Sequence, residues 1–350
     1  IYLNMRKLFL SIVCLFLSQT IFAQEWHSIN TKSEESYSTK LIKSTNESVV
    51  IDLSLNGFYT NHTSLPNSII ITNEDMAPLS GAGQPNIPSL SIPIIINDMG
   101  KMDVRVSKVE YLEYNDIEIA PSKGEFPRSI NPDDVPYTYG DVYQQNEFFP
   151  ATNVKLDSPY ILRDFRAQNI IVTPFAYNPV TKTLRVMHKM TIEVVSTKEE
   201  GENELARRSN TINMDSEFEK MYSNRFINYK ESGAKYDIIE EEGDLLIICH
   251  DAFMSAMQPF VEWKRATGRN TTIVGTSVAG TSADNIKNYI TSQYEDNPNL
   301  VHVLLVGDYQ QLPGKYLTMA SGYYDDYSGY SDWWFGQLEG DDRYNELIIG

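Results

Sequence analysis

Residues 244–268 read DLLIICHDAFMSAMQPFVEWKRATG and decide the fold of the C-terminal part of the chain. The run LLIIC is continuously apolar, as is typical of a strand that is buried on both faces of a parallel sheet. Apolar side chains then recur at helical spacing through Phe253, Met257 and Phe260, and Gly268 stands where a helix would end. The stretch therefore predicts a strand followed by a helix, which is the first half of a β-α-β unit.

The residues that follow continue this alternation of strands and helices. NTTIVG (270–275) is typical of a strand, and SADNIKNYITSQYE (282–295) is typical of a helix with Ser282 or Asp284 as its cap. LVHVLLVGD (300–308) then predicts a third strand. A β-α-β-α-β series builds a right-handed parallel sheet, whose chemistry gathers at the carboxyl ends of the strands. This rule places Asp308 at the functional edge of the sheet.

The first two hundred residues have a different texture, with short β-prone runs separated by proline, glycine and asparagine. In NIIVTPFAYNPVTKTLRVMHKMTIEVV (169–195), the segment NPVTK reads as a turn between two strands. Four apolar residues of the second strand fall on alternating positions: Leu184, Val186, Ile192 and Val194. With no convincing amphipathic helix, this pattern predicts an all-β sandwich. GAGQPNIPSLSIPI (81–94) is expected at a sheet edge or corner, because each proline removes a ladder donor.

The N-terminus predicts export. Met5 is followed by Arg6, Lys7 and the apolar run LFLSIVCLFLSQTIFA, which is too short to span a membrane well and ends at the small residue Ala23. Residues 1–4 precede this methionine and are interpreted as upstream translation. No other stretch is apolar enough to cross a membrane, so the protein is expected to be secreted or displayed on the cell surface.

Charge and cysteine content exclude several functional classes. The formal net charge of −18, without a basic cluster, argues against a nucleic-acid partner, because binding phosphates takes a surplus of Lys and Arg. Cys14 leaves with the signal peptide, so Cys249 stands alone and forms neither a disulfide framework nor a cysteine zinc cluster. Cys249 and His250 are strand neighbours that point to opposite faces, so they are not a catalytic pair. His302 lies inside a strand and is expected to be structural.

Residues 201–235 are polar and charged without a clear apolar period, and predict a linker or loosely packed crossover. Arg207, Arg208 and Lys235 are candidate cleavage sites for a processing protease, with ordinary surface charge as the alternative interpretation. The expected domain organisation is a signal peptide at 1–23, a β-sandwich domain at 24–200, the linker and processing region at 201–235 and a parallel-sheet domain at 236–350.

GQLEGDDRYNELIIG (336–350) concentrates carboxylates ahead of an apolar run that resembles the start of a fourth strand. A calcium ion takes about six to eight oxygens at about 2.3–2.6 Å, from carboxylates and backbone carbonyls. In a straight strand Asp342 and Glu346 would lie about 13 Å apart, so one ion requires the chain to curl, which Gly340 permits. Asp308, at the end of the third strand, would add a further carboxylate. A solvated acidic loop is the alternative interpretation.

These segments resemble a known family. DLLIICHDAFMSAMQPFVEWKRATG, VHVLLVGDYQQLP and GQLEGDDRYNELIIG are similar to the opening of the catalytic domain of the gingipain-type cysteine peptidases (family C25), which belong to the caspase-haemoglobinase-like fold group. GQPNIPSLSIPI and YNPVTKTLRV are similar to the gingipain propeptide domain. The resemblance covers nearly the whole exported chain. It implies two domains, an all-β sandwich propeptide and the truncated start of an α/β caspase-like domain with a parallel sheet.

The resemblance also implies a function. The whole protein would be the precursor of a secreted bacterial cysteine endopeptidase that cleaves protein and peptide substrates and is held latent by its own propeptide as an intramolecular inhibitor. The cysteine–histidine dyad is expected beyond Gly350, and the mature enzyme would begin near Tyr236, after cleavage at Lys235. The family implies one structural calcium ion whose ligands match Asp308, the backbone oxygen of Glu339, Asp342, the backbone oxygen of Tyr344, and Glu346.

Two other interpretations stay open. One is a member of the same family that acts as the sortase of a bacterial secretion system. The other is a non-enzymatic, calcium-stabilised surface or adhesion protein that kept the fold and lost the catalytic residues. Sequence beyond Gly350 distinguishes them, because the enzyme requires a histidine in a Gly-His-Gly setting and a cysteine after an apolar strand.

Overall fold

The structure, a computed structural model, describes residues 24–31, 35–79, 81–126, 128–207, 209–319 and 327–350. The predicted signal peptide and the candidate cleavage residue Arg208 lie outside the described residues. Within the described ranges, no helix combines the length and the apolar character needed to cross a membrane.

The first part of the chain, up to Ser196, is built from antiparallel strands, and its described residues contain no α-helix. The strands in chain order are β1 (Glu25–Ser28), β2 (Tyr37–Ser44), β3 (Ser48–Leu55), β4 (Gly57–His62), β5 (Ile69–Thr72), β6 (Ala77–Pro78), β7 (Pro88–Ile95), β8 (Met102–Tyr114), β9 (Val154–Leu156), β10 (Tyr160–Leu162), β11 (Phe165–Val172), β12 (Phe175–Asn178) and β13 (Thr183–Ser196).

Two larger sheets of this part share one apolar core. One has the order β10-β11-β7-β6 with β9 beside β11, and the other has the order β12-β13-β3-β2 with β8 beside β13. Fully buried side chains from both sheets meet in a single cluster, including Ile51 of β3, Ile94 of β7, Ile170 of β11 and Ile192 of β13. The strands β1, β4 and β5 form a separate three-stranded sheet. This is the antiparallel, face-to-face arrangement that the alternating pattern predicts.

The predicted hairpin around NPVTK is confirmed. β12 and β13 pair antiparallel through Asn178 and Thr183, and Lys182 in the turn has φ 52°. The side chains on the alternating positions of β13 are at most 1% exposed: Leu184, Val186, Ile192 and Val194. Because strand side chains alternate between faces, this spacing directs every second residue into the core.

Residues 201–235 do not form the loose linker that their composition predicts. They contain β14 (Thr211–Met214), α1 (Ser216–Arg225) and α2 (Tyr229–Gly233), and β15 (Asp237–Glu240) pairs parallel with β14. Phe218 and Tyr222 of α1 are buried in a cluster with Phe165 of β11. The charged residues of α1 occupy its solvent face and mask the aromatic spacing that makes the helix amphipathic.

Asn228, between α1 and α2, fastens this segment to the free edge of β7. Its Oδ1 accepts a hydrogen bond from the N–H of Ile95 at 2.9 Å, and its Nδ2 donates to the carbonyl oxygen of Ile95 at 2.8 Å. β7 pairs with β11 on one side, while on the other side β6 covers it only at Pro88 and Ser89. The proline-containing strand is therefore close to a sheet edge, as predicted, and the buried side chain of Asn228 satisfies part of that edge.

The last part of the chain contains the predicted β-α-β-α-β series. Its elements are β16 (Asp244–Cys249), α3 (Met254–Ala266), β17 (Thr271–Gly275), α4 (Thr276–Ala279), α5 (Ala283–Asp296), β18 (Leu300–Val306), β19 (Lys315–Met319), β20 (Tyr327–Ser331) and β21 (Ile348–Ile349). β17, β16, β18 and β21 form a parallel sheet in that order, and β19 and β20 form a separate antiparallel pair.

Local details of this sheet follow from the sequence. Ser282 caps α5, since its Oγ accepts a hydrogen bond from the N–H of Asn285 at 3.3 Å. Gly268 has φ 94° after α3, which is a conformation that favours glycine. Cys249 is fully buried at the end of β16, as the apolar run LLIIC predicts. Trp263, three residues after Phe260, is 56% exposed, so the buried face of α3 does not extend to it.

Candidate functional site

The acidic segment before β21 curls back on itself, as the calcium hypothesis requires. The N–H of Glu346 donates to the carbonyl oxygen of Gly336 at 2.9 Å and closes the bend. Gly340 has φ 72°, and Oδ1 of Asp342 accepts a hydrogen bond from the N–H of Tyr344 at 2.8 Å. We refer to residues 336–346 as the acidic bend. The glycine and this short-range side-chain bond together replace the straight strand by a turn.

Glu346 points into the interior of the acidic bend and is fully buried. Its Oε2 accepts hydrogen bonds from the N–H groups of Leu338 at 2.7 Å and Glu339 at 3.0 Å, whereas its Oε1 is buried without a hydrogen-bond partner. Burial raises the pKa of Glu346 to about 7, against the lowering effect of the two N–H groups, and the Asp342 carboxylate raises it further. A buried carboxylate oxygen without a partner is a strong candidate cation ligand.

Asp342 links the acidic bend to the β-rich part of the chain. Its Oδ2 accepts a hydrogen bond of 2.8 Å from the N–H of Ile161 in β10. Burial raises the pKa of Asp342, while this bond and the one from Tyr344 lower it. The ring of Tyr344 stacks on Tyr160 with centroids 3.9 Å apart. The bend is therefore shaped in part by a strand that is distant in sequence.

Asp308 does not lie at the acidic bend, contrary to the expectation that it shares one ion with Glu346. β18 and β21 run parallel with His302 opposite Ile348, so Glu346 lies at the start of β18 and Asp308 lies beyond its end. The length of β18 separates the two by about 20 Å. Oxygens that bind one calcium ion lie at most about 5 Å apart, so a single ion cannot bind both residues.

The donors that remain on the bend have the chemistry of a calcium site. Asp342 and Glu346 offer carboxylate oxygens and Glu339 and Tyr344 offer backbone oxygens, and a hard cation prefers an all-oxygen set. Asp308 is exposed, with its Oδ1 accepting a hydrogen bond from the N–H of Tyr309 at 2.8 Å. The unpartnered Oε1 of Glu346 is the observation in favour of an ion, and the ligand set of the bend stays a prediction.

Arg163, in the turn between β10 and β11, inserts its side chain beside the acidic bend. Its Nη1 donates to the carbonyl oxygens of Leu300 at 2.7 Å and Glu346 at 3.0 Å, and its Nη2 donates to the carbonyl oxygen of Pro298 at 2.8 Å. The side chain is buried, with its guanidinium 5.2 Å from the ring centroid of Phe218. Arg163 thus holds the amino-terminal edge of the parallel sheet. Sequence reasoning missed it, because a single arginine in a turn carries no distinctive pattern.

The candidate cleavage residues differ in their surroundings. Arg207 is half-buried, with Nε 2.5 Å from Oδ2 of Asp98 and its guanidinium 4.2 Å from the ring centroid of Tyr236. Burial lowers the pKa of Lys235, which is followed by β15, whose residues are all exposed. Arg207 is held by an ion pair, whereas Lys235 is half-buried beside an exposed strand, and cleavage at either residue stays a prediction.

Comparison with known proteins accounts for both parts of the chain. The family model Propeptide_C25 matches residues 38–235, and that of Peptidase family C25 matches residues 238–350. The chain belongs to peptidase family C25. We refer to residues 38–235 as the propeptide region and to residues 238–350 as the peptidase region. The chain is therefore part of a gingipain-type cysteine peptidase precursor, as its sequence motifs predict.

Individual relatives support the same assignment. The chain is 32% identical to Gingipain R1 of Porphyromonas gingivalis over 356 residues, which cover 99% of this chain and 34% of that protein. It is 35% identical to Gingipain R2 of the same species over 277 residues, covering 78% of this chain and 36% of that protein. The chain thus spans about a third of the length of these curated relatives.

A solved structure matches a little over half of the chain. The complex of Porphyromonas gingivalis RgpB pro- and mature domains matches with a TM-score of 0.51 and 31% identity, over 55% of this chain and 97% of the matched chain. In the present chain, Arg163 and Ile161 belong to the propeptide region, while Leu300 and Asp342 belong to the peptidase region. The contacts at the acidic bend are therefore contacts between a propeptide and the domain it precedes.

Proposed function

We propose that this chain is the N-terminal part of the precursor of a secreted bacterial cysteine endopeptidase, which its propeptide region holds latent. The observation that carries the proposal is the buried Arg163 side chain, which donates to three backbone carbonyls of the peptidase region. The catalytic cysteine and histidine are expected in sequence that follows Gly350. There the thiolate attacks the scissile carbonyl, and the imidazole accepts and returns the proton.

The propeptide region binds the peptidase region through direct hydrogen bonds to the acidic bend. Arg163 and Ile161 bind the bend that leads into β21, at the amino-terminal edge of the sheet. Chemistry in such sheets gathers at the carboxyl-terminal edge, so these contacts position the inhibitor without occupying that edge. The intramolecular connection raises the effective concentration of the propeptide and keeps it bound until the chain is cut.

The acidic bend is proposed to bind a structural calcium ion through Glu339, Asp342, Tyr344 and Glu346, without Asp308. Support comes from the unpartnered, buried Oε1 of Glu346 and from the all-oxygen donor set. When bound, the ion supplies positive charge that compensates the buried carboxylates and rigidifies the chain before β21. The residues of the bend orient the oxygens and exclude water.

Cleavage after Lys235 is proposed to release the mature enzyme with Tyr236 as its first residue. The two family matches meet between residues 235 and 238, and the exposed strand β15 follows at once. Tyr236 donates a hydrogen bond to Asp98 of the propeptide region at 3.1 Å, so release also requires that this contact opens.

The test uses the complete gene product, including the sequence after Gly350. Peptide hydrolysis is measured before and after processing, with and without a thiol-alkylating reagent, and the N-terminus of the processed form is sequenced. Hydrolysis that appears on processing, disappears on alkylation and accompanies a Tyr236 N-terminus is expected. A processed protein that hydrolyses no peptide contradicts the enzyme and favours the non-enzymatic surface protein.

A further inference from the structure

A second group of potential metal ligands lies between the propeptide and peptidase regions. Asp215 caps the start of α1, Glu217 lies in its first turn, and His302 lies in β18. One ligand atom from each side chain lies within 4.8 Å of the other two. Across the described ranges, this is the only group of three His, Cys, Asp or Glu side chains that meets so closely.

His302 and Asp215 lie close together but do not form a hydrogen-bonded ion pair. Its Nε2 is buried and has no hydrogen-bond partner, although it lies only 3.8 Å from Oδ2 of Asp215. That distance is too long for a hydrogen bond. It is close to the spacing of two ligands on one zinc ion, about 3.4 Å for tetrahedral bonds of about 2.0–2.2 Å. A cation between the two atoms would give Nε2 of His302 a partner. Without one, burying this nitrogen costs free energy, because it loses its hydrogen bonds to water.

The protein already fixes the carboxylate that faces this nitrogen. Oδ1 of Asp215 accepts a hydrogen bond from the N–H of Glu217 at 2.9 Å, and Oδ2 accepts one from the N–H of Gly243 at 3.0 Å. The side chain of Asp215 is fully buried. Each oxygen retains a second lone pair, so the two N–H groups orient the carboxylate without using up its capacity to bind a metal ion.

An open cavity gives access to this group of side chains. A cavity of about 250 Å³ borders both Glu217 and His302, as well as Lys264 and Arg269, and Glu217 is exposed. Burial lowers the pKa of His302 and the Arg269 guanidinium lowers it further, whereas the Asp215 and Glu217 carboxylates raise it. Arg269 is itself paired with Glu242 at 2.6 Å, which reduces its repulsion of an incoming ion.

We propose that Asp215, Glu217 and His302 bind one transition-metal ion of the zinc class. An imidazole nitrogen with two carboxylates favours such an ion over calcium, which prefers oxygen alone. Three protein ligands leave a fourth position for water. Two of the ligands belong to the propeptide region and one to the peptidase region, so the ion joins the two parts on either side of Lys235. This site is independent of the proposed peptidase activity.

The test is zinc binding by the full chain, freed of metal with a chelator and titrated by isothermal calorimetry. The wild type is expected to bind one equivalent, Glu217→Gln to bind at least tenfold more weakly, and His302→Gln to bind none. His62→Gln, which changes an exposed histidine at the end of β4, is the matched control and is expected to bind like the wild type.

Two further measurements separate metal binding from a purely structural role. Zinc is expected to raise the melting temperature of the wild type but not that of His302→Gln, and excess calcium is expected to leave zinc bound. Cobalt is expected to give intense visible absorption bands with the wild type and weak ones with His302→Gln. The proposal is overturned if the wild type binds no zinc, or if His302→Gln and Glu217→Gln both bind it as the wild type does.

Discussion

The backbone N–H of Ile161 donates a hydrogen bond of 2.8 Å to Oδ2 of Asp342, joining residues that lie 181 positions apart. Two residues later, Arg163 donates to the carbonyl oxygen of Glu346 in the same bend. One short hairpin of the propeptide region therefore shapes the bend that we propose to bind calcium. Calcium binding at the acidic bend is therefore expected to strengthen the contacts between the propeptide and peptidase regions, and these contacts are expected to strengthen calcium binding.

Replacing Arg163 with alanine is expected to destabilise the chain by about 3 kcal/mol, because three backbone carbonyls, two of them buried, lose their charged donor. Urea denaturation of the full chain measures the change. Arg343→Ala is the matched control, since Arg343 is exposed on the same bend, and it is expected to change the stability by less than about 0.5 kcal/mol. Equal changes in the free energy of unfolding for the two substitutions would show that the hydrogen bonds of Arg163 to the peptidase region do not stabilise the chain.

Calcium is expected to raise the melting temperature of the wild type, because an ion that binds only the folded state stabilises it. Glu346→Gln should lose most of that increase, whereas Asp308→Asn should retain it, because Asp308 lies at the other edge of the sheet. Thermal unfolding with calcium and with a chelator checks this. Loss of the response in Asp308→Asn alone would contradict the placement of the ion.

The stability of the chain in calcium-free buffer is expected to depend on the protonation of Glu346. Its folded-state pKa of about 7 exceeds the value of about 4.3 in an unfolded chain, so the folded state binds more protons between these pH values. This contribution is complete below about pH 4.3 and is lost as the pH rises through about 7, by up to about 4 kcal/mol. Urea denaturation across this range should show a shallower pH dependence for Glu346→Gln. Identical slopes would argue against a raised pKa.

Asn228→Ala is expected to cost about 2–4 kcal/mol, because both backbone groups of Ile95 lose a buried partner. Limited proteolysis should also cut residues 201–235 faster, since this segment loses its attachment to β7. Asn224→Ala, at an exposed position of α1, is the control and should behave like the wild type. Unchanged proteolysis in Asn228→Ala would mean that other contacts hold the segment.

The parallel sheet was predictable because its signals are local. The apolar run before Cys249, the helical spacing after it and the Ser282 cap each operate within one or two turns of chain. The hairpin at NPVTK was predictable for the same reason. The pairing order of the antiparallel sheets was not, since strands such as β3 and β13 meet across more than a hundred residues and share no local pattern.

The folded state of residues 201–235 was missed although a signal was present. Phe218, Tyr222 and Phe226 recur every four residues, and all three are buried. Their spacing is that of one helix face, but the surrounding charges dominate the average composition. Attention to aromatic spacing, rather than to mean polarity, identifies α1.

The misplacement of Asp308 has a topological cause. Asp308 follows its strand, whereas Glu346 precedes its own strand, and β18 and β21 run in the same direction. In parallel neighbours, a residue after one strand and a residue before the other lie at opposite edges. The directions of both strands follow from the β-α-β pattern of the sequence, and they are enough to place Asp308 and Glu346 at opposite edges. The position of Arg163 was not readable, because it depends on how two separately folded parts meet.

The three hydrogen bonds that Arg163 donates to the peptidase region all end on main-chain oxygens, namely those of Pro298, Leu300 and Glu346. If the propeptide is removed as proposed, water molecules can replace the guanidinium as hydrogen-bond donors to these oxygens. No buried counter-charge is stranded, so the mature domain is spared the electrostatic penalty that follows when one half of a buried ion pair is removed. Hydrogen bonds to main-chain oxygens can therefore hold the two regions together in the intact chain. After the proposed cleavage, the regions can separate without leaving an unpaired buried charge in the peptidase region.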